Sequence, residues 1–471
     1  MTEQPNEVVV GLDVGTTAVK AVAFGLGSGW RRTSVREYPL LQPAPGWRTQ
    51  DPDVVLNATW AALRDCLSQV SGARVAAVSV STAMHGLIGL DVRKHPVTPL
   101  VTWADARAGE ESRYLHTSGQ AAALHAATGT PVHPMSPLTK LMWFSRHEPE
   151  VCARVRWWVG LKDYLLLALT GTLATELSSA SGTGLLDLAA RGWHHDAVAL
   201  AGITVDQLPP VLATTSVLSL APTAAFRTGL PAGTPVVAGA ADGPLGNLGT
   251  GAMTPGVAGL SLGTSGALRM VVREPVLDGE RGLFCYALTD DAWVVGGAIS
   301  NGGAVVRWAG EVFGGDLRPA DSGPPPDAEL LERAARVPPG SDGLVMLPYL
   351  LAERSPTWDP DLTGAFLGIR HSHTRDHFVR AAVEGVARQL AAVLQQLDGV
   401  TPVTSIRGTG GALRSPLWRE VLAAALGRPL HVTGEAEGTA LGAAALGLFA
   451  IGRASSLMDG TRVLEGVPAV A

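Results

Sequence analysis

Two short phrases in this chain carry residue types that hold phosphate: Gly11-Leu12-Asp13-Val14-Gly15-Thr16-Thr17 and Gly259-Leu260-Ser261-Leu262-Gly263-Thr264-Ser265. In each, a glycine followed by two hydroxyl residues interrupts an apolar run. Glycine lets the backbone approach an anion with no Cβ in the way, and exposed N–H groups with Thr and Ser hydroxyls supply donors, so each turn can cradle a phosphate oxygen. The first phrase places a carboxylate, Asp13, where the second places Ser261. A carboxylate beside such a turn can hold Mg²⁺, as phosphoryl transfer requires, or it can bond its own turn. A second carboxylate, Asp242, follows the apolar run 235–241 and precedes Gly243-Pro244. At the carboxyl end of a strand it can accept the proton of an attacking hydroxyl and share in metal binding, or it can cap a helix.

A second set of residues suits a polyhydroxylated ligand. His85 lies in Met84-His85-Gly86, and Trp103, Asp105 and Arg107 stand at alternate positions. If that stretch is extended, all three point to one face, offering a ring to C–H groups and paired donors and acceptors to hydroxyls. The alternative is a surface ion pair beside a packed tryptophan. His133 is flanked by prolines, and a rigid histidine of this kind serves either a ligand or the structure. Gly408-Thr409-Gly410-Gly411-Ala412 and Gly438-Thr439-Ala440-Leu441-Gly442-Ala443 are places where backbone can lie close against a flat ligand. Only four of the 36 basic residues are lysine, namely Lys20, Lys94, Lys140 and Lys162. Where arginine is the default, a retained compact ammonium draws notice.

The elements that must position these groups alternate between the two periods. Residues 7–14 and 19–24 read as a strand pair joined by the first turn, 53–70 as a helix and 75–81 as a further strand, which points to an α/β lobe. Residues 137–145 and 162–169 read as helices, 192–230 as turn-rich, and 376–397 as a long amphipathic helix. Residues 319–326 read as a surface loop rich in Pro, Gly, Asp and Ser. The repeat offset, 259 − 11 = 248, is about half of the 471 residues. Two lobes are therefore expected, residues 1–233 with the first phosphate turn and the groups suited to a polyhydroxylated ligand, and 234–471 with the second turn and Asp242.

Composition narrows the partners. A net charge of −6 and no basic stripe argue against nucleic acid. Cys66, Cys152 and Cys285 are odd in number and far apart, which suits a reducing compartment better than a disulfide framework. The N-terminus lacks a basic region followed by an apolar one, and no apolar run is long enough for a bilayer, so a cytoplasmic protein is expected.

With these residues assembled, the chain resembles the FGGY family of carbohydrate kinases over nearly its whole length. Met135-Ser136-Pro137-Leu138-Thr139-Lys140-Leu141-Met142-Trp143 is similar to one family signature. Gly364-Ala365-Phe366-Leu367-Gly368-Ile369, continuing to His377-Phe378 and Ala381-Ala382-Val383-Glu384, is similar to a second. The resemblance implies two actin-like, ribonuclease H-like ATPase lobes of α/β class around a cleft. It implies ATP binding by Gly15, Thr16, Thr17, Lys20, Gly263, Thr264, Ser265, Gly410, Gly411 and Ala412, with Asp242 as catalytic base. Lys140 and Lys162 also fall in family motifs.

The run Thr128 to Leu138, with Ser81 to His85 and Thr102 to Arg107, is similar to the gluconate kinases of that family, and Met84-His85-Gly86 also to its xylulose kinases. The implied reaction is ATP- and Mg²⁺-dependent phosphorylation of a sugar acid's primary hydroxyl, D-gluconate first. A xylulose kinase is the alternative, and an actin-like nucleotide switch a remoter one. His85, Trp103, Asp105, Arg107, His133 and Asp242 are the expected sugar contacts. A carboxylate needs cations or donors, for which His85, Arg107, His133 and Lys140 are the candidates. Glu176 stands where many relatives carry Asp. A homodimer is left open.

Overall fold

The computed structural model describes residues 5–70, 72–277, 279–313, 326–433 and 438–467. Most of the loop expected at 319–326 lies outside them. Two six-stranded sheets share one plan. In the first, β1 (Glu7–Val14), β2 (Ala18–Gly25) and β3 (Arg31–Glu37) form an antiparallel meander. Beside β1 runs β4 (Arg74–Thr82), parallel to it. The sheet closes with β5 (Val217–Ser219) and β6 (Pro235–Ala241), in the order β5-β6-β4-β1-β2-β3. In the second, the meander is β7 (Val257–Leu262), β8 (Gly266–Val272) and, after β9 (Phe284–Thr289), β10 (Ala292–Ile299). Then β11 (Ser405–Thr409) lies parallel to β7 and β12 (Leu430–Val432) parallel to β11. The repeated phrase therefore marks a repeated sheet, each opening with a hairpin whose turn is the Gly-Thr sequence.

Helices cover the faces. α1 (Pro52–Ser68) begins at Asp51, whose side chain accepts from the Asp53 and Val54 amides, and sets Val55, Leu63 and Cys66 into the first core. α2 (Pro137–His147) starts at Ser136 with proline in its first turn, and α3 (Leu161–Thr170) stops at Gly171 in the left-handed region. α4 (Leu177–Ser181) is short. In the second lobe α6 (Gly303–Phe313) and α7 (Arg375–Asp398) bury Val305, Val306, Val383 and Leu390 against the sheet.

Two further helices form the layer between the sheets, α5 (Asp242–Gly249) and α8 (Gly438–Ala450). Their core joins Val9, Val22 and Val237 of the first sheet to Ala267, Phe284 and Val294 of the second. They approach at backbone distance, which glycine permits: a Cβ on Gly442 would stand 2.0 Å from the Leu245 carbonyl, and one on Gly11 2.1 Å from that of Ala440. The segment 438–443, expected to lie close against a flat ligand, is the start of this helix: Gly442 serves helix contact, while Gly438 and Thr439 line the larger cavity described below.

The expected lobe boundary at 233/234 is corrected. β6 pairs with β4, so it completes the first sheet. The chain crosses to the second sheet only after α5, a long-range pairing that local sequence does not display. Among the described residues no helix is long and apolar enough to cross a membrane, and the three cysteines are free.

The α5–α8 contact yields a test. Glycine to alanine in a solvent-exposed helix stabilises by roughly 1 kcal/mol. Gly442→Ala is expected to reverse that sign and lose about 2–3 kcal/mol, because the methyl meets a carbonyl in a packed layer. Urea unfolding of the variant against the parent measures it.

Candidate active site

The carboxyl ends of β1, β4 and β6 lie side by side, and there the first sheet presents its acidic groups. Asp13 pairs in register with Lys20 on one side and Ser81 on the other, and Ser81 Oγ donates to Asp13 Oδ1 at 3.3 Å. Desolvation, then the nearby Asp242 charge, pushes the Asp13 carboxyl up to about 7, against the pull of Lys20, Ser81 and Lys162. Asp242 opens α5. It accepts from the Gly243 amide at 2.7 Å and from that of Met84, and its own pKa is raised by desolvation against the opposing charge of Arg269. Two carboxylates that resist joint ionisation are a fit site for a divalent cation, with phosphate and water oxygens filling the remaining positions.

Both phosphate turns face the same cleft. In the first, carbonyls are tied back: Gln50 Nε2 donates to Thr16 O at 2.6 Å and the Tyr38 amide to Thr17 O at 3.0 Å. The Thr16 and Thr17 amides have no protein acceptor among the described residues. In the second turn the Gly303 amide, at the start of α6, donates to Gly263 O at 2.7 Å and that of Gly302 to Thr264 O at 3.2 Å.

Two cavities meet at Asp242. One, of about 600 Å³, runs along the second lobe and is lined by Asn247, Thr409, Gly410, Gly411, Arg414 and Thr439. Gly410 has a positive φ of 115°, and a Cβ there would meet Leu262 O at 2.2 Å, so glycine is required. Ala412 does not line this cavity; it packs against the second core. The other cavity, of about 270 Å³, lies between the lobes and is lined by Thr16, His85, Trp103, Met135, Tyr286 and Trp358, among others. Asp242, Gly243, Ser261 and Arg269 belong to both walls.

The groups expected to contact sugar divide. His85 reaches the smaller cavity with a left-handed φ of 63°. Its Nδ1 is 2.6 Å from Gly182 O, which makes it the donor and leaves Nε2 as an acceptor. Desolvation pushes its pKa down to about 3. Trp103 lines the cavity and donates from Nε1 to Thr16 Oγ1 at 2.8 Å, linking this wall to the first Gly-Thr turn.

Asp105 and Arg107 do not line it. The chain turns at 103–108 instead of extending. Asp105 is buried, accepting from Arg107 Nε at 2.8 Å and the Arg48 amide at 2.6 Å, while the Arg107 guanidinium lies 3.7 Å from the centre of the Trp47 ring. His133 is buried one layer back; its Nδ1 accepts from the Met135 amide at 3.2 Å and its ring meets Trp358 edge-on at 5.8 Å. Burial holds its pKa at about 3.

The two lysines of the family motifs are staples. Lys140 Nζ donates to His85 O and Thr102 O, each at 2.7 Å, and to Val101 O at 3.5 Å, so all three of its donors are directed at backbone carbonyls. Lys162 Nζ donates to Val80 O, to Ala238 O at 2.8 Å and to Ala240 O at 3.0 Å, bridging β4 and β6 where a register shift at Gly239 bends the strand toward Asp242. Glu176, 3.7 Å from Lys162, caps α4 by accepting from the Ser178 and Ser179 amides, and Ser178 Oγ in turn accepts from the Ala241 amide. Glu176 therefore acts on the strand that leads to Asp242 and lines neither cavity.

Arg269, Tyr286, Arg354 and Trp358 line the smaller cavity and escaped the sequence reading, since none sits in a glycine-rich or strand-end pattern. Arg269 Nη1 donates to Ser261 Oγ at 3.0 Å. The only available signal was that β8 repeats β2, which places Arg269 near the position of Lys20.

Two matched lobes, each closing a shared cleft with a phosphate turn, and an acid pair where a long cavity meets a short one, define a phosphotransferase. Residues 8–249 match the N-terminal domain and 258–451 the C-terminal domain of the FGGY carbohydrate kinases. The chain belongs to that family. It is 37% identical to a gluconokinase of Bacillus subtilis, over 95% of this chain and 88% of that one. It is 31% identical to a xylulose kinase of Escherichia coli, over 96% and 90%. A gluconate kinase structure from Lactobacillus acidophilus, 32% identical, superposes with a TM-score of 0.90 over 97% of this chain and 92% of that one.

Two outcomes test the site's supports. Lys162→Met leaves three carbonyls and Glu176 without their cation, and is expected to lose about 3–5 kcal/mol in chemical unfolding. His85 and His133 bind no proton until about pH 3, whereas unfolded histidine binds one near 6.5, so each contributes stability that is lost as pH falls below about 6.5. His133→Asn is expected to lower stability at pH 8 and to flatten the decline from pH 6 to 4 by about 1 kcal/mol per pH unit, read from urea midpoints.

Proposed function

We propose that this carbohydrate kinase transfers the γ-phosphate of ATP to the primary hydroxyl of D-gluconate, giving 6-phosphogluconate and ADP. The observation that carries the proposal is Asp242 in the wall shared by a nucleotide-sized and a sugar-sized cavity. The stronger likeness to a gluconokinase than to a xylulose kinase supports the choice of sugar.

ATP lies along the larger cavity with its phosphates between the two Gly-Thr turns. The sugar lies in the smaller one, its hydroxyl toward Asp242. Asp242 accepts the hydroxyl proton as the oxygen bonds to the γ-phosphorus, and the bond to the β-phosphate oxygen breaks, with ADP taking its electron pair. A raised carboxyl pKa suits that role, since a carboxylate at its ordinary value holds a proton poorly. Arg269 and the turn amides stand where charge builds on the transferring group. Asp13 and Asp242 would hold Mg²⁺, which neutralises phosphate charge when bound. Closure on sugar excludes water, so ATP hydrolysis without sugar is expected to be slow. An ATP-dependent reaction and three free cysteines suit a cytoplasmic protein.

A coupled ADP-release assay over gluconate, xylulose, ribulose and glycerol tests the substrate: gluconate is expected to give the highest kcat/KM, and turnover of xylulose with none of gluconate would contradict it. Asp242→Asn is expected to lower kcat by about 10³-fold while the circular dichroism spectrum stays within error. Near-normal turnover in that variant would remove Asp242 as the base.

A further inference from the structure

A sugar acid brings a carboxylate into the cleft, and most cations near the smaller cavity are already committed. Lys140 is spent on backbone carbonyls, Arg107 on Asp105 and the Trp47 face, and Lys162 on the β4–β6 bulge. His85 and His133 are uncharged at neutral pH. Arg269 faces Asp242 and Ser261 and lines both cavities, which puts it at the phosphoryl-transfer end. One molecule cannot place both its reacting hydroxyl and its carboxylate there.

Arg354 lines the smaller cavity and not the larger. Two bonds fix its guanidinium plane, Nε to Ser300 Oγ at 3.1 Å and Nη2 to Ile299 O at 2.8 Å, and it lies 5.1 Å from the centre of the Trp103 ring. The neighbouring Glu353 is turned away, accepting from Asn301 Nδ2 at 2.6 Å and from the Ser300 and Arg354 amides. Among the described residues no carboxylate stands within salt-bridge distance of the Arg354 guanidinium. A guanidinium held rigid among Trp103, Tyr286 and Trp358, against which Glu353 and Asp242 act only from beyond salt-bridge distance, costs desolvation that an incoming anion recovers. We infer that Arg354 receives the substrate's carboxylate and so sets the preference for a sugar acid over a neutral polyol.

This assignment rests on the sugar-acid reading of the cleft. The test is calorimetric titration of wild type and Arg354→Met with gluconate and, separately, with a non-hydrolysable ATP analogue. The expected result is a gluconate Kd raised about 100-fold, with nucleotide Kd unmoved. An unchanged gluconate Kd in the variant overturns the role of Arg354 and leaves the sugar-acid reading intact. A wild type that neither binds nor phosphorylates gluconate overturns both. Should Arg354→Met fail to fold, Arg354→Lys, which keeps the charge and loses the fork, is expected to weaken gluconate about tenfold, and wild-type affinity there counts against the inference.

Discussion

Everything in the cleft is arranged around two carboxylates that do not tolerate each other. Asp13 lies near the end of β1 and Asp242 just after β6, with only β4 between those strands, in a desolvated place where the Asp242 charge raises the proton affinity of Asp13. Such a pair is a liability to the apo protein and an asset to a kinase, because it has a use for a cation and a substrate proton. The surrounding cations keep that liability bounded. Lys20 and Lys162 act on Asp13, Arg269 and Lys162 on Asp242. Lys162 has a second task, since it also gathers the carbonyls that fix the bend before Asp242.

The lobes share a sheet plan but divide the chemistry. The first holds both acids, on β1 and after β6. The second offers a hydroxyl and a guanidinium at the matching place, Ser261 bonded to Arg269. Under the proposed reaction, a polyphosphate between them would meet an acidic wall suited to a cation on one side and donors on the other. The helices α5 and α8 make this division workable, for they bind the sheets into one body at glycine contacts and leave the cleft to the turns.

Local pattern exposed those parts whose shape is decided locally. The two hairpins, α1, α3 and α7 have periods, caps and Gly-Thr breaks that few other structures would satisfy, and the strands and helices formed within a residue or two of expectation. Parts decided by distant pairing were hidden. β6 reads as any apolar strand, and only its bonds to β4 assign it to the first sheet. Asp105 and Arg107 misled because alternate spacing brings side chains together only in extended chain, and a turn there buries them against Trp47 and Arg48. The scarcity of lysine did mark important positions, yet Lys140 and Lys162 serve by satisfying carbonyls in the interior. Arg354 was invisible among many arginines, since what sets it apart is spatial: among the described residues no carboxylate stands within salt-bridge distance of it.

The central claim is that a single point, Asp242, joins the nucleotide cavity to the sugar cavity. A crystal structure of the protein with gluconate, Mg²⁺ and a non-hydrolysable ATP analogue examines it directly. The account predicts the primary hydroxyl of gluconate within about 3 Å of the Asp242 carboxylate, with the γ-phosphate on its other side between Thr16 and Ser265. Gluconate bound with that hydroxyl away from Asp242, or a γ-phosphate reaching some other part of the sugar, would contradict it.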